Sequence, residues 1–457
     1  MKVTRLPARR DTTASLRHPR GGPASHARHA LTLLMLIVPA LATRLQAQAA
    51  SAPVVDTVPC RLVDLEQRFL NDNLALLAAR FQVDASRAAV EQARLWSNPT
   101  LSISQTPYNP QTRRLFDATG SGNPEIQVSQ LILLAGKRRH QVAVAESNVS
   151  QAGASLNDLL RSLRLELRSD FWDLYVLQRA VAIEDRQLAI VGQAVAAAER
   201  LYAARSILLA DVVRLRALLL AVQSERLGFE QQIADLQGSL RLLLRDEGRP
   251  LHWYAPRPDS ASLAALRLDT LAVEQVLQRA LERRPDLRVV NEAVRGEASN
   301  LALQRATAVP DVTVGGSFSR NGSYFPDYFG LFVSMDLPFL NRNQGNIHVS
   351  ERTLDANRTV ARQTRLRVER ETIAAWQKAT AADRAWRGLD RQLLTQYATL
   401  VDGTLAQYER RDLSLLQLTD FLDTYRQVQL QVNQLFGVRL DAIEALNFAA
   451  GAVVVAP

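Results

Sequence analysis

Residues 212–243 read VVRLRALLLAVQSERLGFEQQIADLQGSLRLL, and residues 418–446 read LTDFLDTYRQVQLQVNQLFGVRLDAIEAL. In the first stretch apolar residues step by threes and fours through Val212, Leu215, Leu219, Val222, Phe229, Ile233, Leu236, Leu240 and Leu243, with only Arg226 breaking the series. The second runs through Leu418, Phe421, Tyr425, Val428, Val432, Leu435, Ala442 and Leu446, broken only by Arg439, and is the first displaced by 206 residues. Such stepping is the seam of helices packed as in a coiled coil. Upstream of each lies a matching run of heptad positions: Leu160, Leu167, Leu174, Val181, Leu188 and Val195, then Leu354, Ala361, Val368, Ala375, Ala382 and Leu389. No proline occurs between Pro124 and Pro250 or between Pro338 and Pro457. Proline breaks helix interiors, so both intervals accommodate one very long helix each. About 70 residues from Gly136 to Arg205 make roughly 100 Å of helix. An element of that length spans something rather than packing around a compact core.

Each arm reverses once. Tyr202-Ala203-Ala204-Arg205-Ser206 precedes one reversal and Tyr408-Glu409-Arg410-Arg411-Asp412 the other, again 206 residues apart. Short segments with a period of two precede both arms: 99–104 and 125–129 in the first half, 312–319 and 328–337 in the second. That period predicts strands with two unlike faces. Their connections are rich in Gly, Asn, Pro and Tyr, as turns are. Tyr324, Phe325, Tyr328, Phe329 and Phe339 cluster at the strand ends, which fits an interfacial girdle and equally the packing of a soluble sheet. The fold class is therefore mainly α with a small β part. Each repeat runs helix, strand, strand, long helix, turn, helix. The expected organisation is a leader over 1–49, a first repeat over 50–247, a Pro-rich linker over 248–269, a second repeat over 270–448 and a tail over 449–457.

The 457 residues carry a net charge of +9, but residues 1–50 hold eight Lys/Arg against one Asp, leaving 47 against 45 in the other 407. The body is nearly neutral, which excludes a nucleic-acid partner. The basic start, the apolar run LTLLMLIVPALA (31–42) and Ala47-Gln48-Ala49 read as a secretory signal with cleavage near Ala47 and Ala49. No later run of 18 apolar residues predicts a spanning helix. One cysteine, Cys60, excludes an internal disulfide framework and a Cys-cluster zinc site; Thr57-Val58-Pro59 before it is not the setting for lipidation, and an inert thiol is the expectation. His140, His252 and His348 are scattered, and the chain has no Gly-x-Ser-x-Gly, phosphate loop or dinucleotide fingerprint. No catalytic residue, cofactor or resident metal is expected.

Exported strands and long helices pose a geometric problem. Four strands do not close a transmembrane barrel, and open strand edges are not tolerated in lipid. If the strands enter a membrane, copies of the chain share one barrel and the helices continue it as a tube.

Val128-Ser129-Gln130 through Gly136-Lys137-Arg138, and Leu337-Pro338-Phe339-Leu340-Asn341-Arg342-Asn343-Gln344-Gly345-Asn346-Ile347, resemble the TolC-like outer membrane efflux family, and within it the outer membrane components of heavy-metal cation exporters (CzcC-like). Arg284-Pro285-Asp286-Leu287, Asn98-Pro99 and Pro310-Asp311 fit the same group, over about residues 60–448. The resemblance implies a homotrimer with a twelve-stranded barrel in outer membrane lipid and a twelve-helix periplasmic tunnel. It also implies a periplasmic adaptor and an inner-membrane, proton-driven pump of the resistance-nodulation-division type as partners. The family closes its tunnel at the reversals, with a Tyr-x-x-Gly turn followed by an Asp. Here Tyr202, Tyr408 and Asp211 match, while Arg205 and Arg411 replace the glycines and Gln417 the second aspartate. By that resemblance Asp211 contributes to an acidic, cation-favouring ring, and Arg205, Arg411 and Asp412 tie neighbouring helix ends by ion pairs. Ordinary polar turn residues are the alternative. Two other functions fit the same sequence: an exit duct for type I protein secretion, and a soluble periplasmic coiled-coil scaffold.

Overall fold

The computed structural model describes residues 55–117, 119–248, 251–321 and 325–456; the expected signal segment, with Ala47 and Ala49, lies outside them. The first repeat contains β1 (Val55–Cys60), α1 (Leu62–Asp72), α2 (Leu74–Arg94), β2 (Thr100–Ser104), β3 (Tyr108–Asn109), β4 (Arg114–Leu115), β5 (Glu125–Ile132), α3 (Lys137–Ala203) and α4 (Leu209–Leu243). The second contains β6 (Leu251–Pro256), α5 (Ser260–Ala265), α6 (Val273–Arg283), α7 (Pro285–Thr307), β7 (Val312–Asn321), β8 (Phe325–Met335), α8 (Gln344–Arg387), α9 (Arg391–Glu409) and α10 (Leu415–Ala450).

The long helix of the first arm is one uninterrupted element of 67 residues, about 100 Å at 1.5 Å per residue. The second arm departs from expectation. Its helix stops at Arg387, passes Gly388-Leu389-Asp390, and restarts as α9. The positions 206 residues earlier are Ala182, Ile183 and Glu184, all compatible with a helix interior. Glycine is a poor helix residue, and the Asp390 carboxylate accepts the Gln392 N–H at 2.9 Å, capping the new helix. The stretch expected as a linker is also structured. It holds β6, which pairs with β1, and α5, whose N-cap Asp259 accepts the N–H groups of Ala261 and Ser262.

Four strands form one antiparallel sheet in the order β2-β5-β7-β8. Its register sorts the side chains. Leu101, Ile103, Ile126, Val128, Val312, Val314, Phe318, Phe329, Leu331, Val333 and Met335 share one face. Ser102, Gln127, Ser129, Thr313, Ser317 and Ser334 lie on the other. The apolar face is open to the surroundings, with Leu331 94% exposed and Phe329 79%. A soluble sheet buries that face, whereas lipid satisfies it. Both edge strands, β2 and β8, lack a second neighbour among the described residues. Among the described residues no helix is long and apolar enough to cross a membrane.

Of the three apolar cores among the described residues, two join the hairpins. The larger packs Phe69, Leu167, Phe171, Trp172, Leu240, Tyr254, Val276, Ile443 and Leu446 where the satellite helices meet the roots of both hairpins. Within it Arg168 pairs with Glu444 at 2.6 Å and Glu66 at 3.0 Å, and the Trp172 indole donates to Glu444 at 3.0 Å. The smaller core packs Val191, Ala194, Val195, Val212, Leu215, Tyr408, Leu418 and Leu422 near the reversals.

Candidate gate at the helical reversals

Both long arms end in the same backbone device. After α3, the Arg205 N–H donates to the Tyr202 carbonyl at 2.8 Å and the Ser206 N–H to the Leu201 carbonyl at 2.8 Å. After α9, Arg411 donates to Tyr408 at 3.0 Å and Asp412 to Gln407 at 2.9 Å. This is the Schellman arrangement, in which the residue past the helix end adopts a left-handed conformation. Arg205 and Arg411 occupy that position with φ of 54° and 66°, where glycine is the usual residue. The replacement seen in the sequence leaves the turn intact.

The following helices also start alike. The Leu208 N–H donates to Asp211 Oδ2 at 3.3 Å. In the second hairpin the Ser414 N–H donates to Gln417 Oε1 at 2.9 Å, and the Gln417 N–H returns to Ser414 Oγ at 3.3 Å. Asp211 and Gln417 thus do the same local work, each reaching back from the third helical residue to the cap. Asp211 also suits the positive end of α4.

The side chains differ more than the backbones. Tyr202 is exposed, while Tyr408 is buried against the smaller core. The Tyr408 hydroxyl has no hydrogen-bond partner among the described residues. Burial raises its pKa, and the Asp211 charge on the other hairpin adds to that. Among the described residues Arg205 and Arg411 make no ion pair, and Asp412 pairs with Arg410, two residues before it, at 3.1 Å. The tie between the hairpins is instead Arg200 to Glu409, at 2.7 Å. Further from the turns, Arg426 on α10 reaches the fully buried Glu184 of α3 at 3.3 Å, Glu225 of α4, and Asp423 at 3.0 Å. These two cross-hairpin ties were not singled out in the sequence. The signal for the first was an Arg and a Glu, each within two residues of a reversal tyrosine. Among the described residues no group of His, Cys, Asp and Glu has the arrangement of a metal site.

A sheet with an exposed apolar face, joined to hairpins that reverse together, narrows the comparison to membrane conduits. The family described as outer membrane efflux protein matches residues 65–244 and 276–452, one segment per repeat. The chain belongs to the outer membrane efflux protein family. It is similar to the cobalt-zinc-cadmium resistance protein CzcC of Cupriavidus metallidurans, with 22% identity over 378 residues, 82% of this chain and 86% of that protein. The pyoverdine export outer membrane protein OpmQ of Pseudomonas putida is 27% identical over 253 residues, 53% of this chain and 51% of that one. Among solved structures, CusC superposes with a TM-score of 0.70 at 17% identity, covering 86% of this chain and 92% of that one. The open state of the Neisseria gonorrhoeae MtrE outer membrane channel gives 0.67 at 17% identity, covering 86% and 89%. As an outer membrane efflux protein, the chain lends four strands to a shared β-barrel and its long hairpins to a periplasmic α-barrel. The family is one of transport channels, not enzymes.

Proposed function

We propose that three copies form one passive conduit of twelve strands and twelve helices. In this reading it hands heavy-metal cations from a periplasmic adaptor and a proton-driven inner-membrane pump to the outside. The observation that carries the assembly is the open sheet: its exposed apolar face and two unpaired edges are satisfied only by neighbours in lipid. The cargo reading leans on the name of CzcC, a cobalt-zinc-cadmium resistance protein. The reversals at 202–212 and 408–418 act as the gate. Arg200–Glu409 ties the two hairpins together at the closed end. Asp211 supplies an acidic ring when three copies surround an axis. Opening slides one hairpin past the other when the adaptor docks.

The test is the mass of the detergent-extracted oligomer, with single-channel recording in a planar bilayer. The expected result is a trimer with a low-conductance, cation-preferring pore whose preference weakens in Asp211→Asn. A trimeric pore indifferent to that change removes the ring, since Asp211 then only caps α4. A species of another order removes the twelve-stranded barrel.

A further inference from the structure

We propose that the periplasmic rim of the sheet carries a phospholipid-headgroup site built on Trp96 and Arg138. β2 and β7 begin, and β5 and β8 end, at the same end of the sheet, where α3 and α8 start. This end therefore lies at the inner surface of the outer membrane. Trp96 sits four residues before β2 and is 65% exposed, beside the equally open Leu95. The segment is tied to the apolar side of the sheet. Gln130, which the register places on the face of Val128, donates Nε2 to the Ser97 carbonyl at 2.7 Å.

The Arg138 guanidinium lies over the Trp96 ring, 4.0 Å from its centroid. Its Nη1 donates to the Arg94 carbonyl at 3.1 Å, and its other N–H groups have no acceptor among the described residues. Neighbouring charges are neutralised. Arg94 pairs with Glu146 at 2.9 Å, and Lys137 with Asp311 at 2.7 Å. Among the described residues Arg138 and the exposed Arg139 have no carboxylate partner. The first turn of α3 holds no acidic residue and Gly136 offers no capping side chain, so the helix end adds to the same positive field. The second repeat has Ala308 four residues before β7, where the first has Trp96, so the site occurs once per chain.

Unneutralised guanidinium, exposed indole and the border of a lipid-facing surface together define the ligand. A phosphodiester accepts the free N–H groups in the planar geometry guanidinium favours. Indole is at home at the level of the glycerol backbone, and the exposed Leu95 beside it suits acyl chains. The occupant is a phospholipid of the periplasmic leaflet.

The test uses the full channel in a non-ionic detergent, titrated with phosphatidylglycerol and weighed by native mass spectrometry. One lipid per chain is expected to remain bound. Arg138→Gln and Trp96→Ala each weaken it by about fivefold, near what one basic residue contributes at an anionic surface. Arg138→Lys keeps the charge but loses the planar fork and the stack, so its binding falls between wild type and Arg138→Gln. Both side chains are on the surface, so an unchanged oligomer mass shows that the variants assemble. Wild-type occupancy in both variants overturns the site. So does equal competition by diacylglycerol, which lacks the phosphate, or displacement by inorganic phosphate alone, which would mark a simple anion site.

Discussion

The ion pairs between the two hairpins of this chain are buried at the root and exposed at the tip, where a smaller apolar core also joins them. At the root, Arg168 and Glu444 are nearly sealed from solvent and share their bonds with Trp172 and Glu66. At the tip, Arg200 and Glu409 face each other at a similar distance, but 67% and 45% exposed. An exposed pair contributes at most about 1 kcal/mol, whereas losing one partner of a buried pair strands a charge. The same chemistry therefore anchors one end and leaves the other free to move. The break at Gly388–Asp390 sharpens the contrast. The first arm runs unbroken through that level, and only the second has a joint above its reversal.

The largest expected effect is at the root. Glu444→Ala leaves the Trp172 indole unsatisfied and Arg168 with Glu66 alone, and should cost about 3–5 kcal/mol, read as a lower melting temperature in detergent. A small loss would mean that the two ends do not differ as described. The root should also respond to pH. Burial pushes the Asp170 carboxyl up to about 6, helped by Glu166 and Asp173 and opposed by the Ser239 hydroxyl. Its pKa is raised in the fold, so the folded chain holds a proton that the unfolded chain has released. Stability from this group is therefore present below its ordinary value near 4 and is lost as pH rises through about 6. Asp170→Asn should lessen the fall in melting temperature over that interval, the remainder coming from Asp441, which burial pushes up to about 7.

At the reversals, Arg205→Gly and Arg411→Gly relieve a left-handed conformation that costs a non-glycine residue about 1–2 kcal/mol. Each should raise stability slightly in thermal melts. Destabilisation would show that the arginines make contacts across the assembled channel. Smallest on stability is Arg200→Ala, at under about 1 kcal/mol. Its signature is an increase in the fraction of time the pore is open, and an unchanged open fraction would separate this pair from gating.

Much of this was legible in the sequence because it is periodic. The heptads ending at Val195 and Leu389, the offset of 206 and the alternation of Val312, Val314 and Phe318 each mark a local preference that packing reinforces. The break after Arg387 was hidden because Leu389 continues the heptad while Gly388 beside it ends the helix. The pairing of β1 with β6 joins residues almost 200 apart, and Pro59 within β1 disguises it as a loop. At the reversals the residue types were evident. That Asp211 caps α4, that Tyr408 is buried while Tyr202 is open, and that Arg200 meets Glu409 depend on how two distant hairpins lie together.

The most direct test of a fixed root and a sliding tip is to place cysteines at Arg200 and Glu409 and record single channels before and after reduction. Cys60 is buried, with its thiol pushed up to about 11, and does not compete. The disulfide-locked tip should hold the pore at low conductance, and reduction should restore transitions to a wide state. Equal conductance in the oxidised and reduced protein would contradict the account.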